Sequence, residues 1–435
     1  MIPCPLGRMT IGQLAFLYTL FCVMAFGPVA DEDLYAETFD AHWERLRDDY
    51  PYFELYGVDW DAERAEHRPR AIAAENDTEF AWELARLISA LPDPHVSFLP
   101  SMDTIQGKWS FPDIDARMIG RRPYVMKWSA DGSQPKRLTD NPHAYPEIVL
   151  IRGQVPGGAT DILVAGPLGT SLDFRLRWPD GTETDHVERR PDVSNVPPPR
   201  PHFGDKWLVS GRVGSIGYLR VKTFDPKRAT LGSDGKMTTM LRAALASLGD
   251  TKALILDLQG NGGGLVAASD PFLGNFLKSS LKYRWGNSGG KTRVIRPRTP
   301  RYKGGVVALV DEGSASGGEW AARILGDAGR AVVIGERTSG AEAAVHTSKG
   351  PDGSLVRFSA WPMVEPGRVP FQHVGIELDY DLPLTIEDVR KHGLEAALQR
   401  VRRARFGKAL EVLGAPEGDL DALLALAESA DASDE

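Results

Sequence analysis

The 435-residue sequence predicts an α/β protein in which a helical domain and a β-rich insertion precede an α/β core. Three observations predict this class. Apolar residues recur at three- and four-residue spacing from residue 31 to about 91. Short β-like stretches broken by turns fill residues 110–200. From Gly214 onward, nearly uninterrupted apolar strands alternate with helices, the pattern of a sheet covered on both faces.

Residues 1–30 stand apart. Arg8 precedes an apolar run over residues 11–27, and Pro28-Val-Ala30 gives way to Asp31-Glu-Asp33. A basic start, an apolar centre and small residues before an acidic segment read as an export signal cut near Ala30. The competing reading is a retained membrane anchor, for which the run barely approaches spanning length. Phe21 is too bulky for the small residue that normally precedes a lipid-modified cysteine. Both cysteines, Cys4 and Cys22, lie in this segment, so the mature chain would hold no disulfide, thiol nucleophile or cysteine-bound metal. Its chemistry would rest on oxygen and imidazole. A secreted or periplasmic location is expected, with no stable membrane insertion after signal removal.

Residues 31–109 form the helical domain. Phe39, Trp43, Leu46 and Tyr50 share one helical face, and Phe80, Leu84, Leu87, Ile88 and Leu91 share another. An acidic, aromatic turn over residues 52–60 joins the first helix to the next, and the domain ends in Leu91-Pro-Asp-Pro-His-Val-Ser-Phe98. Within the β-rich module, residues 110–201, strands are expected over 145–152 and 171–178. Pro179-Asp-Gly181 then turns into another strand through Arg189, and a proline run over 192–201 reads as a linker. The core, residues 202–409, carries expected strands at 216–221, 253–258, 306–310 and 331–334, and helices at 235–248, 319–325 and 388–400. Residues 410–435 are an acidic, leucine-rich tail, expected to form an accessory helix that frays.

A net charge of -8, a pI near 5.7 and the lack of a Lys/Arg stripe exclude nucleic acid as the main partner. There is no His-Glu-x-x-His pair for zinc, and no metal or other cofactor is expected. Gly286-Asn-Ser-Gly-Gly-Lys-Thr292 looks like a phosphate loop, but its first glycine stands one residue too close to Gly-Lys-Thr.

Two glycine-rich turns carry the chemistry. After the strand at 306–310 comes Asp311-Glu-Gly-Ser-Ala-Ser-Gly-Gly-Glu319, a hydroxyl at a strand-to-helix junction. Ser316 is the candidate nucleophile, and the amide of Gly317 the first candidate oxyanion donor. The bland reading of such a turn is a helix N-cap. After the strand at 253–258 comes Gln259-Gly-Asn-Gly-Gly-Gly264, where Gly262, Gly263 and Gly264 let amides converge on a small anion because no Cβ blocks approach. A flexible turn explains these glycines equally well in isolation. A serine needs a base to become a good nucleophile. His95, in a turn fixed by Pro92 and Pro94 beside Asp93, is the leading candidate, with His346 and His373 as rivals.

Taken together these residues resemble the tail-specific, or C-terminal processing, serine peptidase family. Gly313-Ser-Ala-Ser-Gly-Gly-Glu319 resembles its nucleophile motif, and Leu256-Asp-Leu-Gln-Gly-Asn-Gly-Gly-Gly264 its oxyanion loop. Residues 329–340 match the segment after the nucleophile helix, and Gly375-Ile-Glu-Leu-Asp379 resembles its Gly-Val-x-Pro-Asp ending, with leucine for proline. In the lysine branch the base lies 25 residues beyond the serine; here that position is Ala341, and Lys349 does not fit. The departure points to the histidine branch, which includes the tricorn core protease. Residues 39–46, 50–53, 57–60 and 93–96 resemble that branch's helical domain, in which the base occupies the position of His95.

The resemblance implies a crotonase-like α/β catalytic core with no cofactor, acting on a peptide or protein substrate. It also implies a PDZ-like module, of which residues 169–181 resemble the last part without its carboxylate-gripping Gly-Leu and Gly-Asp signals. Glu377, Glu336 and Gln372 are the candidates to orient the imidazole. Two rival readings fit the same residues: a binding or scaffolding protein that kept the fold and lost turnover, and a serine hydrolase of small esters. The sequence does not fix the oligomeric state.

Overall fold

The computed structural model describes residues 32–431, apart from 106, 113, 129–140, 142, 154, 157–162, 195–203, 228–233, 286–290 and 365–369. The expected export signal and most of the proline run therefore lie outside the described residues, as does most of the phosphate-loop look-alike. No described helix is long and apolar enough to cross a membrane.

Helices α1 (Glu32–Asp49), α2 (Phe53–Tyr56), α3 (Trp60–Ile72) and α4 (Asp77–Ser89) open the fold. Their starts are set by side chains: Asp59 accepts from the Ala62 amide, and Asn76 from those of Thr78 and Glu79. Phe39, Trp43 and Leu46 of α1 and Phe80, Leu84, Leu87 and Ile88 of α4 are buried together, as their spacing requires. The same core takes in Trp128, Phe174 and Leu176 of the β-rich module and Val356 and Phe358 from far along the chain.

The chain leaves α4 through the His95 turn into β1 (Ser97–Leu99). The β-rich module is a five-stranded antiparallel sheet of β2 (Ile114–Ile119), β3 (Arg122–Trp128), β4 (Glu147–Ile151), β5 (Ser171–Arg177) and β6 (Glu183–Arg189), paired in that order.

The core sheet has six strands: β7 (Leu208–Val213), β8 (Ile216–Val221), β9 (Ala253–Asp257), β10 (Gly305–Val310), β11 (Val332–Gly335) and β14 (Tyr380–Asp381). They lie in the order β14-β11-β10-β9-β8-β7, parallel except for the β7–β8 hairpin. All five residues of β9 are buried because both faces are covered. Leu254 and Leu256 pack with α5 (Asp234–Leu248), α6 (Val266–Gly274) and α7 (Gly317–Asp327). Ile255 turns to the opposite face, with Tyr218, Val307 and Leu309.

That opposite face is closed by the end of the chain. The single helix expected over 388–400 is two, α8 (Ile386–His392) and α9 (Leu394–Leu413), divided at Gly393 with φ 79°. The helix expected in the tail is α10 (Leu420–Asp431), which buries Leu420, Leu423, Ala427 and Ala430 against the sheet. Its spacing of three and four residues makes an apolar stripe that the open sheet face accepts. A further hairpin, β12 (Ala344–Lys349) and β13 (Leu355–Trp361), pairs with β1 in the antiparallel order β1-β13-β12, setting Ser97 opposite Arg357. This pairing draws the His95 turn onto the core.

Candidate active site

β9 and β10 are adjacent and parallel, so the two glycine-rich turns leave the same edge of the sheet side by side. Side chain and backbone zip them together. The Ser314 hydroxyl donates to the Leu258 carbonyl at 2.8 Å, and the Ala315 amide to the Asn261 carbonyl at 2.9 Å. Ser316 sits at the N-cap of α7 with φ 52° and ψ −120°, a conformation a non-glycine residue rarely adopts and one that costs about 1–3 kcal/mol. This N-cap position puts Ser316 at the positive end of the helix.

Glu319, one turn into α7, holds this geometry. Its Oε2 accepts from the Ser316 and Ala341 amides, each at 2.9 Å. Its Oε1 accepts from Thr338 Oγ1 at 2.6 Å and the Gly340 amide at 2.7 Å. Burial pushes its carboxyl up to about 7 even though four hydrogen bonds favour the charged form. Ala341, where the lysine branch would place its base, thus lies one hydrogen-bonded carboxylate away from Ser316.

Ser316, Gly317, Gly262 and Gly264 line one cavity. Gly264 has φ 142°, and a Cβ there would stand 2.1 Å from the Phe224 carbonyl carbon. Gly263 is different, because its amide already donates to Asn261 Oδ1 at 2.9 Å. A Cβ on Gly263 would meet Gly317 N at 2.7 Å and Ser316 Cβ at 2.8 Å. Its place is therefore the close packing of the two turns, and its amide is not free for the oxyanion role expected of it.

His95 is buried and is not among the residues that line this cavity; its neighbours Asp93, Pro94 and Val96 line another. Its amide donates to Asp93 Oδ1 at 2.8 Å, and its Nδ1 lies 3.3 Å from Ser359 Oγ. Nε2 is buried without a hydrogen-bond partner. Burial, reinforced by the nearby Arg357 charge, pushes the imidazole pKa down to about 3. No hydrogen bond joins His95 to Ser316. Two residues nevertheless connect them: Arg357 also lines the Ser316 cavity, and Val345, the cross-strand partner of Ser359, lines it too.

The other sequence candidates fall elsewhere. His346 contacts Arg45 and packs edge-on against Phe358 and Trp361, whereas His373 stands beside Arg121 and Tyr56 on a different cavity. Glu336 is paired with Arg405 at 3.0 Å, and Glu377 lines a separate cavity. Gln372 uses Oε1 on the Glu342 amide at 2.9 Å and Nε2 on Tyr56 at 3.1 Å.

Three residues at the site escaped the sequence reading: Glu342, Arg357 and Ser359. Glu342 lines the Ser316 cavity and accepts the Gln372 amide at 3.1 Å, with burial pushing its carboxyl up to about 7. The available signal was strand alternation, in which a serine at 359 and an arginine at 357 share one face of an otherwise apolar strand.

The cavity runs from Ser316 between α6 and α7. Its walls include Leu265, Leu273, Trp320 and Ile324, and Asp270 lies on it already paired with Arg293 at 2.8 Å and with the Tyr283 hydroxyl at 2.9 Å. Among the described residues no group of acidic, histidine or cysteine side chains could hold a metal ion.

Residues 215–382 match the model of Peptidase family S41, and residues 31–88 match that of the Tricorn protease C1 domain. Carboxyl-terminal-processing peptidase 3, chloroplastic, of Arabidopsis thaliana is 25% identical over 359 residues, covering 78% of this chain and 67% of that protein. Carboxy-terminal processing protease CtpB of Bacillus subtilis (strain 168) is 25% identical over 237 residues, covering 53% of this chain and 47% of that protein. The chain thus spans about half the length of CtpB. The crystal structure of mature CPAF has the same fold, with a TM-score of 0.58 and 14% identity over 87% of this chain and 97% of that one. The paired turns around Ser316 thus lie in a segment, residues 215–382, that matches Peptidase family S41, behind a segment, residues 31–88, that matches the Tricorn protease C1 domain, and the relatives named above are C-terminal processing peptidases.

Proposed function

We propose that this protein hydrolyses peptide bonds through an acyl-enzyme on Ser316, with His95 as general base. The observation that carries the reading is that Ser316, Gly317 and the Gly264 turn share one cavity at the start of α7. Ser316 Oγ bonds to the peptide carbonyl carbon while its proton passes to His95 Nε2, the buried nitrogen with no other partner. The amides of Gly317 and of Gly262 and Gly264 meet the oxyanion. Collapse breaks the C–N bond, and His95 returns the proton to the leaving amine. A water then attacks the acyl-enzyme, giving one proton to His95, and Ser316 leaves with that proton. Closure of His95 onto Ser316 belongs to substrate binding, since catalytic hydrogen bonds often tighten only in the occupied site.

The core is read as crotonase-like and the five-stranded module as a PDZ-like domain that lacks the usual grip on a substrate terminus. The polypeptide is read as a secreted or periplasmic protein, with peptides or proteins as substrates. What supports these readings is the order of the motifs along the chain and the apolar segment at its start.

The absence of a Ser316–His95 hydrogen bond favours one rival, a peptide-binding protein without turnover. One experiment separates them: reaction of the purified protein with a serine-directed fluorophosphonate, comparing the parent with Ser316→Ala and His95→Ala. Labelling of the parent alone, followed by cleavage in a peptide library, is the expected result. A parent that neither labels nor cleaves would sink the peptidase reading, and Ser316-dependent ester cleavage without peptide cleavage would replace it with an esterase.

A further inference from the structure

We propose that Ser359 and Asp93 are the positioning residues that hold His95 in the tautomer the reaction needs, with Nδ1–H donating to Ser359 Oγ and Ser359 O–H donating to the Asp93 carboxylate. This rests on the reading of Ser316 and His95 as nucleophile and base.

The tautomer follows from counting donors and acceptors. A neutral imidazole carries one N–H, and burial keeps His95 neutral. Nδ1 has an oxygen at 3.3 Å, whereas Nε2 has no partner. Placing the hydrogen on Nε2 would bury an unmet donor, at a cost of about 1–3 kcal/mol. With the hydrogen on Nδ1, the lone pair of Nε2 stays free to take the Ser316 proton.

The hydroxyl of Ser359 then still has its own hydrogen to give. The proposal assigns it to Asp93, a buried carboxylate whose ionised form Ser359 favours. Asp93 receives the His95 amide at 2.8 Å and the Tyr50 hydroxyl at 3.1 Å. Burial raises the Asp93 carboxyl above its ordinary range, and these donors act against that shift by favouring the ionised form. When His95 becomes an imidazolium, the Asp93 charge is felt through the aligned Ser359 hydroxyl rather than by direct contact. It opposes the Arg357 charge that disfavours protonation. Glu336, Gln372 and Glu377 cannot fill this place: the first is paired with Arg405, the second is an amide, and the third lines another cavity.

The test uses the full-length protein as parent, Ser359→Ala, Ser359→Thr and Asp93→Asn, with Ser316→Ala and His95→Ala as controls. Fluorophosphonate labelling rates are measured from pH 4 to 9, with thermal melting to verify folding. Nitrogen-15 spectra of labelled histidine report which His95 nitrogen carries the proton. We expect Nδ1-protonated His95 in the parent and a plateau labelling rate about 10- to 100-fold lower in Ser359→Ala, comparable to the loss of other hydrogen bonds that orient a reacting imidazole. Rescue by Ser359→Thr is expected, as is an acidic limb displaced to lower pH in Asp93→Asn. A folded Ser359→Ala with the parent's rate, acidic limb and His95 tautomer would overturn the proposal while leaving the Ser316–His95 reading intact. Labelling that survives in His95→Ala would instead overturn that underlying reading, and the proposal with it. If Asp93→Asn does not fold, Ser359→Ala and the parent's nitrogen spectrum decide. Parent His95 protonated on Nε2 refutes the relay whether or not the protein is active.

Discussion

Both oxygens of the buried Glu319 carboxylate are taken up by donors from two strand-end segments, the Ser316 turn and residues 338–341. Glutamine cannot replace it, because an amide NH2 would face two of those four donors. Glu319→Gln should lower stability by about 1–3 kcal/mol. It should also slow fluorophosphonate labelling more than the stability loss accounts for, because the Ser316 amide loses its anchor; denaturant titration and labelling kinetics on one preparation test this. The buried titrating groups set a second expectation. His95 and His42 have native pKa values of about 3 and about 4, below the ordinary 6.5, so the unfolded chain takes up protons first as pH falls. Their contribution to stability is complete above about pH 6.5 and is lost toward pH 4 and 3. Glu319 and Glu342, both raised to about 7 from 4.5, act in the opposite sense: their contribution is complete below about pH 4.5 and is lost as pH rises through 7. Urea unfolding across pH should show both limbs, and Glu342→Gln should flatten the alkaline one. A Glu342→Gln variant that retains the full alkaline loss would remove this residue from the account.

At the scale of elements, the two glycines on the cavity wall make opposite demands. Gly262 has open space around the position of a Cβ, whereas Gly264 would drive one into Phe224. Gly262→Ala should therefore fold like the parent. Gly264→Ala should lose several degrees of melting temperature and most of its labelling, because the Phe224–Gly264 bridge must open to admit the methyl group. Melting curves and labelling of both variants settle the contrast. The strands and helices around these turns were legible because each buries an apolar face: β8 coincides with its expected span, and α5 and β10 begin one residue early. The β12–β13 hairpin was not legible. Its wall-forming residues include Val345 and Arg357, and its partner β1 comes from near residue 97, so local periodicity could not announce a pairing made across most of the chain. The helix break at Gly393 was missed because one glycine inside a periodic pattern is often tolerated; here its φ of 79° lets α9 turn and cover the sheet.

Over the whole molecule, Ser316, Gly317 and Gly264 could be anticipated because motif order along the chain reflects adjacent parallel strands. The contact of His95 with Ser359 could not, since it is made only through tertiary pairing. The cavity beside Ser316 has largely apolar walls, and Asp270 is already neutralised by Arg293 and Tyr283. A substrate side chain seated there should be apolar, with charged residues at that position cleaved at least about tenfold more slowly, the cost of leaving a charge poorly solvated. A peptide library varied at one position measures this. On the opposite face, Leu423 of α10 is fully buried, and Leu423→Ala should cost about 2–5 kcal/mol in denaturant unfolding.

That last helix also reaches the glycine turn. Lys222, at the end of β8, donates to the Ala430 carbonyl at 2.9 Å. The next two residues clasp the Gly263 carbonyl, Thr223 through its hydroxyl at 3.1 Å and Phe224 through its amide at 2.7 Å. A ribosome delivers residue 430 long after residue 263, so this clasp gains its final support late in translation. A nascent chain therefore holds Ser316 before the Lys222–Ala430 contact that braces the opposing turn can form.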